Sequence, residues 1–203
     1  MPLVKFDLNN GNPWAIWKID GGEKLPLSTE RLPKDLSHPR KQQEWTAGRS
    51  LVRLILGKIG VAYEGITKDS HGKPFPVGSG YQLSLSHSYP YVAAFLNTTA
   101  SAGIDLEQPR QKLLNVAQRV FSKEELALAA NNPTQLCILW CAKEALVKIH
   151  GKKDLSFIEN LAIGPFSLEK AGYLVGSIIV NDSHQTVPLY YEVHEEFVVV
   201  LNL

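Results

Sequence analysis

The segment from Asn132 to Gly151 constrains the fold of this chain more than any other stretch, because it is almost wholly apolar and yet carries three charges. An asparagine followed by a proline is typical of a helix start, and a glycine after the last apolar residue is typical of a helix end. The apolar side chains are spread around nearly the whole circumference of this helix. The sequence therefore predicts a central, buried helix over residues 133–150.

The three charged residues of this helix are Lys143, Glu144 and Lys148. A charge on a buried helix is costly unless it is paired, hydrogen-bonded or bound to an ion. Glu144 and Lys148 lie one helical turn apart and could simply pair with each other. Otherwise each of the three charges needs a partner elsewhere in the chain or a bound ion.

A short strand is predicted over residues 103–107, where apolar and acidic residues alternate. The alternation turns the two apolar side chains to the core and places Asp105 and Glu107 side by side on the opposite face. Such a pair is either a solvated outer face or part of a site for a hard cation, because neighbouring carboxylates repel unless a cation lies between them. With Glu144 as the third carboxylate, one Mg²⁺ or Mn²⁺ ion could satisfy all three charges.

Three further patterns carry groups that can bind phosphate. Residues 72–74 read Gly-Lys-Pro and predict a basic turn before a strand, and residues 86–88 read Ser-His-Ser where a predicted strand ends. Arg49 and Arg53 lie one turn apart at the edge of a predicted helix. Each pattern alone also fits an ordinary surface turn or a solvated helix edge, so only their combination indicates an anion site.

Composition narrows the class of protein. The chain has 203 residues, of which 44% are hydrophobic and 20% charged, and its formal net charge is +1. These values predict a compact soluble protein and argue against a dedicated nucleic-acid binder, which usually carries a strongly basic surface. No apolar run is long enough to span a membrane and the first residues lack a signal pattern, so we expect a cytoplasmic protein. Cys137 and Cys141 are predicted to be small core residues rather than a disulfide.

Hydrophobic periodicity predicts an α+β fold, with helices segregated from antiparallel strands twice along the chain. The first forty residues are read as a strand and loops. Helices are predicted over residues 41–59, 113–121, 123–130 and 133–150. Strands are predicted over residues 81–85, 91–96, 103–107, 173–180, 188–193 and 197–201.

Five motifs, in order and in approximate spacing, resemble those of the 4′-phosphopantetheinyl transferases, in particular the two-domain type that is similar to the surfactin-synthetase-activating enzyme of Bacillus. The chain carries the variant with Trp140 and Ala145, which resembles the branch associated with fatty-acid or polyketide carriers. The motifs are Gly72-Lys-Pro74, Leu85-Ser-His-Ser88, Gly103-Ile-Asp-Leu-Glu107, Arg119-Val-Phe-Ser-Lys-Glu-Glu125 and Trp140-Cys-Ala-Lys-Glu-Ala-Leu-Val-Lys148.

This resemblance implies a domain organisation. It implies two similar halves related by a pseudo-twofold axis, each with helices packed on a small, mainly antiparallel sheet and with the active site in the cleft between them. We expect an N-terminal half over residues 1–98 and a C-terminal half with the metal site over residues 99–203. Such a pseudo-dimer is expected to be a monomer.

The resemblance also implies a reaction and its residues. The family moves the phosphopantetheine arm of coenzyme A to a serine of an acyl or peptidyl carrier protein and releases adenosine 3′,5′-bisphosphate, with Mg²⁺ or Mn²⁺ bound. The general base is left open between Glu144, a bound water and Glu125. By this resemblance the metal ligands are Asp105, Glu107 and Glu144, the coenzyme-binding residues are Arg49, Arg53, Lys73, Ser86, His87 and Lys148, and the catalytic residues are Glu144, Lys148 and His87.

Two other classes of function stay open. A non-catalytic module that binds coenzyme A or carrier proteins would share the basic turn but has no use for three convergent carboxylates. A metal-dependent phosphodiesterase or nuclease would use the carboxylates, although the near-zero net charge argues against a nucleic-acid track.

Overall fold

The chain folds into an α+β structure that consists of two units. The computed structural model describes residues 3–9, 11–19, 30–152, 154–181 and 183–203. Within these ranges it has four helices and eleven strands, and every strand pairing is antiparallel. The predicted fold class is therefore confirmed. The two compact units are Met1–Ala102 and Gly103–Leu203.

Unit 1 consists of one long helix, a four-stranded sheet and a small hairpin. The sheet has the order β1-β2-β6-β5, and β3 pairs with β4 in the separate hairpin. The elements are β1 (Leu3–Asn9), β2 (Asn12–Lys18), α1 (Pro39–Lys58), β3 (Ile66–Lys68), β4 (Pro74–Pro76), β5 (Gln82–Ser88) and β6 (Tyr91–Asn97).

The core of unit 1 lies between α1 and one face of this sheet. The apolar stripe of α1, which includes Leu51, Val52 and Ile55, packs in one buried cluster with Val92 of β6 and its same-face neighbours. His87 of β5 lies directly opposite Val92 in the ladder, and opposite residues share a face. His87 therefore projects from the side of the sheet that α1 covers.

Unit 2 has three helices on a five-stranded sheet of order β7-β11-β10-β9-β8. The contacts of its sheet are made mainly with the last helix, which packs along the strands. The elements are β7 (Ile104–Glu107), α2 (Lys112–Val120), α3 (Lys123–Ala129), α4 (Pro133–His150), β8 (Leu161–Ile163), β9 (Ala171–Val180), β10 (Ser183–Val193) and β11 (Val198–Asn202).

The central helix α4 has the predicted bounds and the predicted caps. The Asn132 side chain accepts from the backbone N–H groups of Thr134 and Gln135, at 2.9 and 3.1 Å. Gly151 takes the left-handed conformation that ends the helix, with φ 78°. Ten of its residues are buried, including Lys143, so the prediction of a buried helix is confirmed.

The register of β7 places its two carboxylates on the side of α4. Asp105 lies opposite Val200 and Glu107 lies opposite Val198, and both valines belong to the core that α4 covers. At Gly103 an added Cβ would lie 2.4 Å from the carbonyl oxygen of Ala145. The strand can therefore begin this close to α4 only with glycine at that position.

Several local predictions differ from the structure. The first residues form a two-stranded hairpin, β1 and β2, rather than one strand, and part of the predicted loop, residues 20–29, lies outside the described residues. Ser86 and His87 belong to β5 itself and not to the turn after it, because the strand runs three residues longer than its apolar pattern. The short strands β3, β4 and β8 carry no alternating pattern long enough to predict. In the described part of the chain, no helix has the length and apolar character needed to cross a membrane.

Candidate functional site

Unit 1 contains a cavity of about 420 Å³ between α1, the β3–β4 hairpin and β5. Three of the predicted coenzyme-binding residues, Arg49, Ser86 and His87, line it. Gly72 and Pro74, on either side of the predicted Lys73, also line it. The remaining polar lining residues are Lys41, Glu44 and Lys68. The cavity therefore combines residues from three separate sequence patterns, and most of the charged residues in its lining are cationic.

Arg49 is held in place on two sides. Its guanidinium lies 3.6 Å from the centre of the Trp45 ring, and its Nε donates to Glu30 Oε2 at 2.9 Å. The Tyr63 hydroxyl donates to the other oxygen of Glu30, Oε1. Burial, and then the Glu30 carboxylate, raise the pKa of the Tyr63 hydroxyl, so it stays a donor. Trp45 lines the cavity together with Arg49.

His87 faces an acidic residue of α1. Its Nδ1 lies 3.3 Å from Glu44 Oε2, and the His87 side chain is 60% exposed while that of Glu44 is 12% exposed. A carboxylate so little exposed needs a partner, and the imidazole of His87 supplies a proton donor for it. Glu44 is thus a lining residue that the sequence did not single out.

Lys73 lies in a turn that its own neighbours fix. Asp69 Oδ1 accepts from the backbone N–H groups of His71 and Lys73, both at 2.9 Å, and this closes the β3–β4 hairpin. Lys73 Nζ donates to Ser101 Oγ at 3.0 Å, and burial lowers the pKa of Lys73. Within the described residues, the lining of the cavity includes neither Lys73 nor Arg53, which is exposed on α1.

The three predicted metal ligands lie in unit 2 and influence one another. Burial raises the pKa of Glu144, and the negative charges of Asp105 and then Glu107 raise it further, while Lys148 opposes the shift. Among the residues that the structure describes, no group of three or more His, Cys, Asp or Glu side chains could hold a metal ion as arranged. The carboxylates therefore share one electrostatic environment without forming a closed set of ligands.

Lys148 is bound to one of these carboxylates. Its Nζ donates to Asp105 Oδ1 and to the carbonyl oxygen of Ile104, each at 2.7 Å. The ammonium group thus connects α4 to β7, and it pairs with Asp105 across the two elements. The side chains are 27% and 10% exposed, so solvent screens this pair only partly.

The donor set nevertheless suits a hard divalent cation. Three carboxylates offer oxygen ligands only, which Mg²⁺ and Mn²⁺ prefer over soft metals. After burial, the negative charges of Asp105 and Glu107 also raise the pKa of Glu144, and a cation there would relieve that repulsion. The chemistry of these residues fits such an ion.

Lys143 and Glu125 form a buried ion pair with a different character. Lys143 Nζ lies 2.7 Å from Glu125 Oε2, and the side chains are 0% and 4% exposed. Glu125 also accepts from the backbone N–H groups of Ser122 at 2.8 Å and Ile163 at 3.0 Å. Both oxygens of Glu125 are therefore engaged by other groups of unit 2.

The two cysteines are core residues, as predicted. Cys137 and Cys141 are buried and not joined in a disulfide. The Cys137 thiol contacts the carbonyl oxygen of Glu107 at 3.5 Å, and burial raises the pKa of the Cys141 thiol well above its ordinary value. The Cys141 thiol contacts the carbonyl oxygen of Val198 at 4.0 Å, so the two cysteines pack α4 against β7 and β11.

Sequence reasoning missed Glu30, Glu44 and Ser101, although each contacts a predicted site residue. Glu44 is the one with a detectable signal, because it lies on the same helix as Arg49 and Arg53. Glu30 and Ser101 lie outside helices and strands, where residue spacing carries no information about contacts.

Comparisons with known proteins agree with these features. Residues 101–199 match the family model described as the 4′-phosphopantetheinyl transferase superfamily. The chain is 33% identical over 147 residues to the protein named 4′-phosphopantetheinyl transferase HetI of Nostoc sp., and the match covers 66% of this chain and 62% of that protein. It is 26% identical over 170 residues to a 4′-phosphopantetheinyl transferase of Bacillus subtilis, with 79% and 73% covered.

A third relative, 4′-phosphopantetheinyl transferase psf-1 of Bacillus pumilus, is 30% identical over 114 residues, with 52% of this chain and 48% of that protein covered. The chain thus spans less than two thirds of the length of the Nostoc and Bacillus pumilus relatives. The chain is therefore similar to the 4′-phosphopantetheinyl transferase superfamily over residues 101–199, and to these named transferases over the shares given.

Proposed function

We propose that this chain transfers the 4′-phosphopantetheine group of coenzyme A to a serine hydroxyl of an acyl or peptidyl carrier protein. In this reaction the serine oxygen forms a bond to the phosphorus that bears the pantetheine arm. The P–O bond inside the pyrophosphate breaks, and adenosine 3′,5′-bisphosphate leaves with the bonding electrons. The serine proton passes to a base on this chain or to water.

The cavity of unit 1 is the observation that carries this proposal. It brings Arg49, Ser86 and His87 together from two elements, and its lysines at positions 41 and 68 add positive charge. Guanidinium, ammonium and imidazole groups are the usual partners of phosphate oxygens. We assign this cavity to the phosphates and nucleoside of coenzyme A, with Lys73 and Arg53 as weaker candidates beside it.

The residues that would hold Mg²⁺ or Mn²⁺ are Asp105, Glu107 and Glu144 of unit 2. When bound, such an ion neutralises charge on the pyrophosphate oxygens and stabilises the leaving group. We propose that Lys148, now paired with Asp105, contributes its positive charge to the leaving phosphate. The predicted catalytic role of His87 stays a prediction. The predicted active site in a cleft between the two halves stays a prediction.

Glu144 is our candidate for the general base. It is a partly buried carboxylate that the charges of Asp105 and Glu107 influence, so it lies with the other two acidic residues of the proposed metal site. Glu125 is unsuitable because both of its oxygens are engaged by other groups. A bound water remains the alternative acceptor for the proton of the serine.

The finer assignments also stay predictions. These are the surfactin-synthetase-activating subtype, the fatty-acid or polyketide carriers suggested by Trp140 and Ala145, a monomeric state and a cytoplasmic location. Related proteins carry the name of the activity, but their names do not specify a carrier.

The test is to incubate the chain with coenzyme A, Mg²⁺ and an apo carrier protein and to follow the carrier by intact mass. We expect the carrier to gain the mass of one phosphopantetheine group and adenosine 3′,5′-bisphosphate to appear in equal amount. Binding of coenzyme A without a mass gain would indicate a non-catalytic module. Cleavage of coenzyme A without a modified carrier would indicate a phosphodiesterase. Either outcome contradicts the proposed transfer.

A further inference from the structure

Two carboxylates contact cationic or proton-donating residues that line the unit 1 cavity. Glu30 contacts Arg49, and Glu44 contacts His87. This arrangement is unexpected, because a negative charge beside a site for an anionic ligand weakens the binding of that ligand by simple electrostatics. A role other than direct contact with the ligand is therefore needed to explain why these two carboxylates lie beside the cavity.

The contacts of Arg49 indicate what Glu30 does. A flexible arginine loses side-chain entropy when it binds a ligand, unless its position is fixed beforehand. Here the Trp45 ring covers one face of the guanidinium at 3.6 Å, and Glu30 accepts the Nε proton at 2.9 Å. Glu30 is itself held by the Tyr63 hydroxyl. An arginine fixed through Nε presents its paired terminal nitrogens as a rigid fork, the geometry that suits phosphate.

The contact of His87 indicates a parallel role for Glu44. The carboxylate lies 3.3 Å from Nδ1, close enough to attract a protonated ring electrostatically. The opposite nitrogen, Nε2, lies on the far edge of the ring. Glu44 and His87 both line the cavity, so the carboxylate also limits the orientations that the exposed ring can take there.

We propose that Glu30 and Glu44 are positioning residues for the coenzyme: Glu30 fixes Arg49, and Glu44 fixes His87, for contact with phosphate oxygens of coenzyme A. This inference rests on the proposed function of the cavity. It adds two residues that act through others and do not themselves touch the phosphates.

Alanine and glutamine variants at the same position separate positioning from net charge. Both replacements remove the negative charge, but glutamine keeps the size of the side chain and an oxygen that faces Nε of Arg49 or Nδ1 of His87. A residue that acts only through its charge gives the same coenzyme affinity in both variants. A positioning residue gives weaker binding in the alanine variant than in the glutamine variant.

The experiment measures the affinity of the full chain for coenzyme A by calorimetry in wild type, E30Q, E30A, E44Q and E44A. We expect each alanine variant to bind about five- to twentyfold more weakly than its glutamine counterpart, which is the scale of one lost side-chain contact. Equal affinity of the two variants at both positions would overturn the proposal. The exposed Glu64 serves as a control, because E64A and E64Q should bind alike.

Two further measurements guard against a merely structural explanation. In a background that carries Arg49→Met, the difference in coenzyme affinity between E30A and E30Q should disappear. If Glu30 only supports the fold, that difference should persist.

In the coenzyme-free protein, the ¹⁵N signal of Arg49 Nε–H should be sharp in wild type and E30Q and should be lost in E30A. Retention of that signal in E30A would also contradict the proposal.

The titration of the wild type with coenzyme A distinguishes a failure of the proposed function from a failure of the positioning role. If the wild type does not bind coenzyme A, the proposed function of the cavity fails and the positioning role fails with it. If the wild type binds and the alanine and glutamine variants are equal, only the positioning role fails.

Discussion

The two units use opposite charge arrangements on similar supports. Each has one long helix packed on an antiparallel sheet. In unit 1 the cavity is lined by Arg49 and His87, and carboxylates contact them. In unit 2 the carboxylates gather around Glu144, and the ammonium group of Lys148 contacts one of them. In each unit, the residues that line the site set its charge. Partly buried residues of opposite charge stabilise these lining residues and hold their orientation.

Unit 2 also shows how a structural ion pair differs from one at the candidate site. The Lys143–Glu125 pair is fully buried and every oxygen of its carboxylate is engaged. The Lys148–Asp105 pair is partly exposed, and it lies beside a carboxylate with a raised pKa. The first pair fixes the fold, while the second lies where a ligand can reach it.

The largest expected effect tests the acidic site of unit 2. We expect Asp105→Ala to reduce phosphopantetheine transfer by about a thousandfold or more, because the variant loses one of three oxygen donors for the metal ion. The measurement is the carrier mass assay at ordinary Mg²⁺ concentration, with circular dichroism to verify the fold. Asp154→Ala, at an exposed aspartate of the same unit, is the matched control. Full activity in Asp105→Ala would remove the metal hypothesis.

The second prediction tests whether the Lys143–Glu125 pair is structural. Lys143→Met leaves Glu125 buried without its cation, and we expect a loss of about 3–5 kcal/mol in the free energy of unfolding. Urea denaturation measures it. Adding Glu125→Gln should restore part of the loss, because the unpaired charge is then gone. A single variant as stable as wild type would show that the pair contributes little.

The third prediction concerns Lys148. We expect Lys148→Met to reduce the transfer rate by about 100-fold, the scale of one lost charge-stabilising donor, with a smaller loss of thermal stability. Steady-state kinetics and a melting curve separate the two effects. Lys152→Met, at an exposed lysine after α4, should change neither. A large fall in melting temperature with an unchanged rate would assign Lys148 to the fold alone.

The smallest predicted effect follows from the raised pKa of Glu144. A carboxyl whose folded pKa exceeds its unfolded value binds more protons in the native state, so its contribution to stability is lost as pH rises through the folded pKa. In metal-free buffer, Glu144→Gln should therefore melt about 1–3 °C above wild type at pH 8, with a smaller difference at pH 4. Melting curves at both values test this. An equal difference at the two pH values would argue against the electrostatic cause.

The sequence predicted the parts of this fold that rest on strong local patterns. The caps and the apolar circumference of α4 gave its bounds to the residue. The alternation in β7 correctly indicated that Asp105 and Glu107 share a face. The prediction that this face points away from the core is wrong, because the register with β11 places it towards α4. The short strands of unit 1 were missed because three residues show no periodicity.

The site was predictable only where a residue acts within its own motif. Arg49, Ser86 and His87 were found from their motifs, and they line one cavity. The partner of Lys148 was left open between Glu144 and a distant group, and spacing alone could not choose Asp105. Glu30 and Glu44 were missed because their contacts join elements far apart in sequence.

The geometry around Lys143 has a consequence for what this position can accept. An ammonium group has three N–H bonds arranged as a tripod, and here its three neighbours are Glu125 Oε2 and the carbonyl oxygens of Val120 and Phe157. Arginine carries the same charge, but its donors lie in one plane and extend further from the backbone. The three acceptors therefore match the arrangement of the three N–H bonds of lysine and not that of the arginine donors. Through these bonds, one nitrogen atom joins three segments that are distant along the chain.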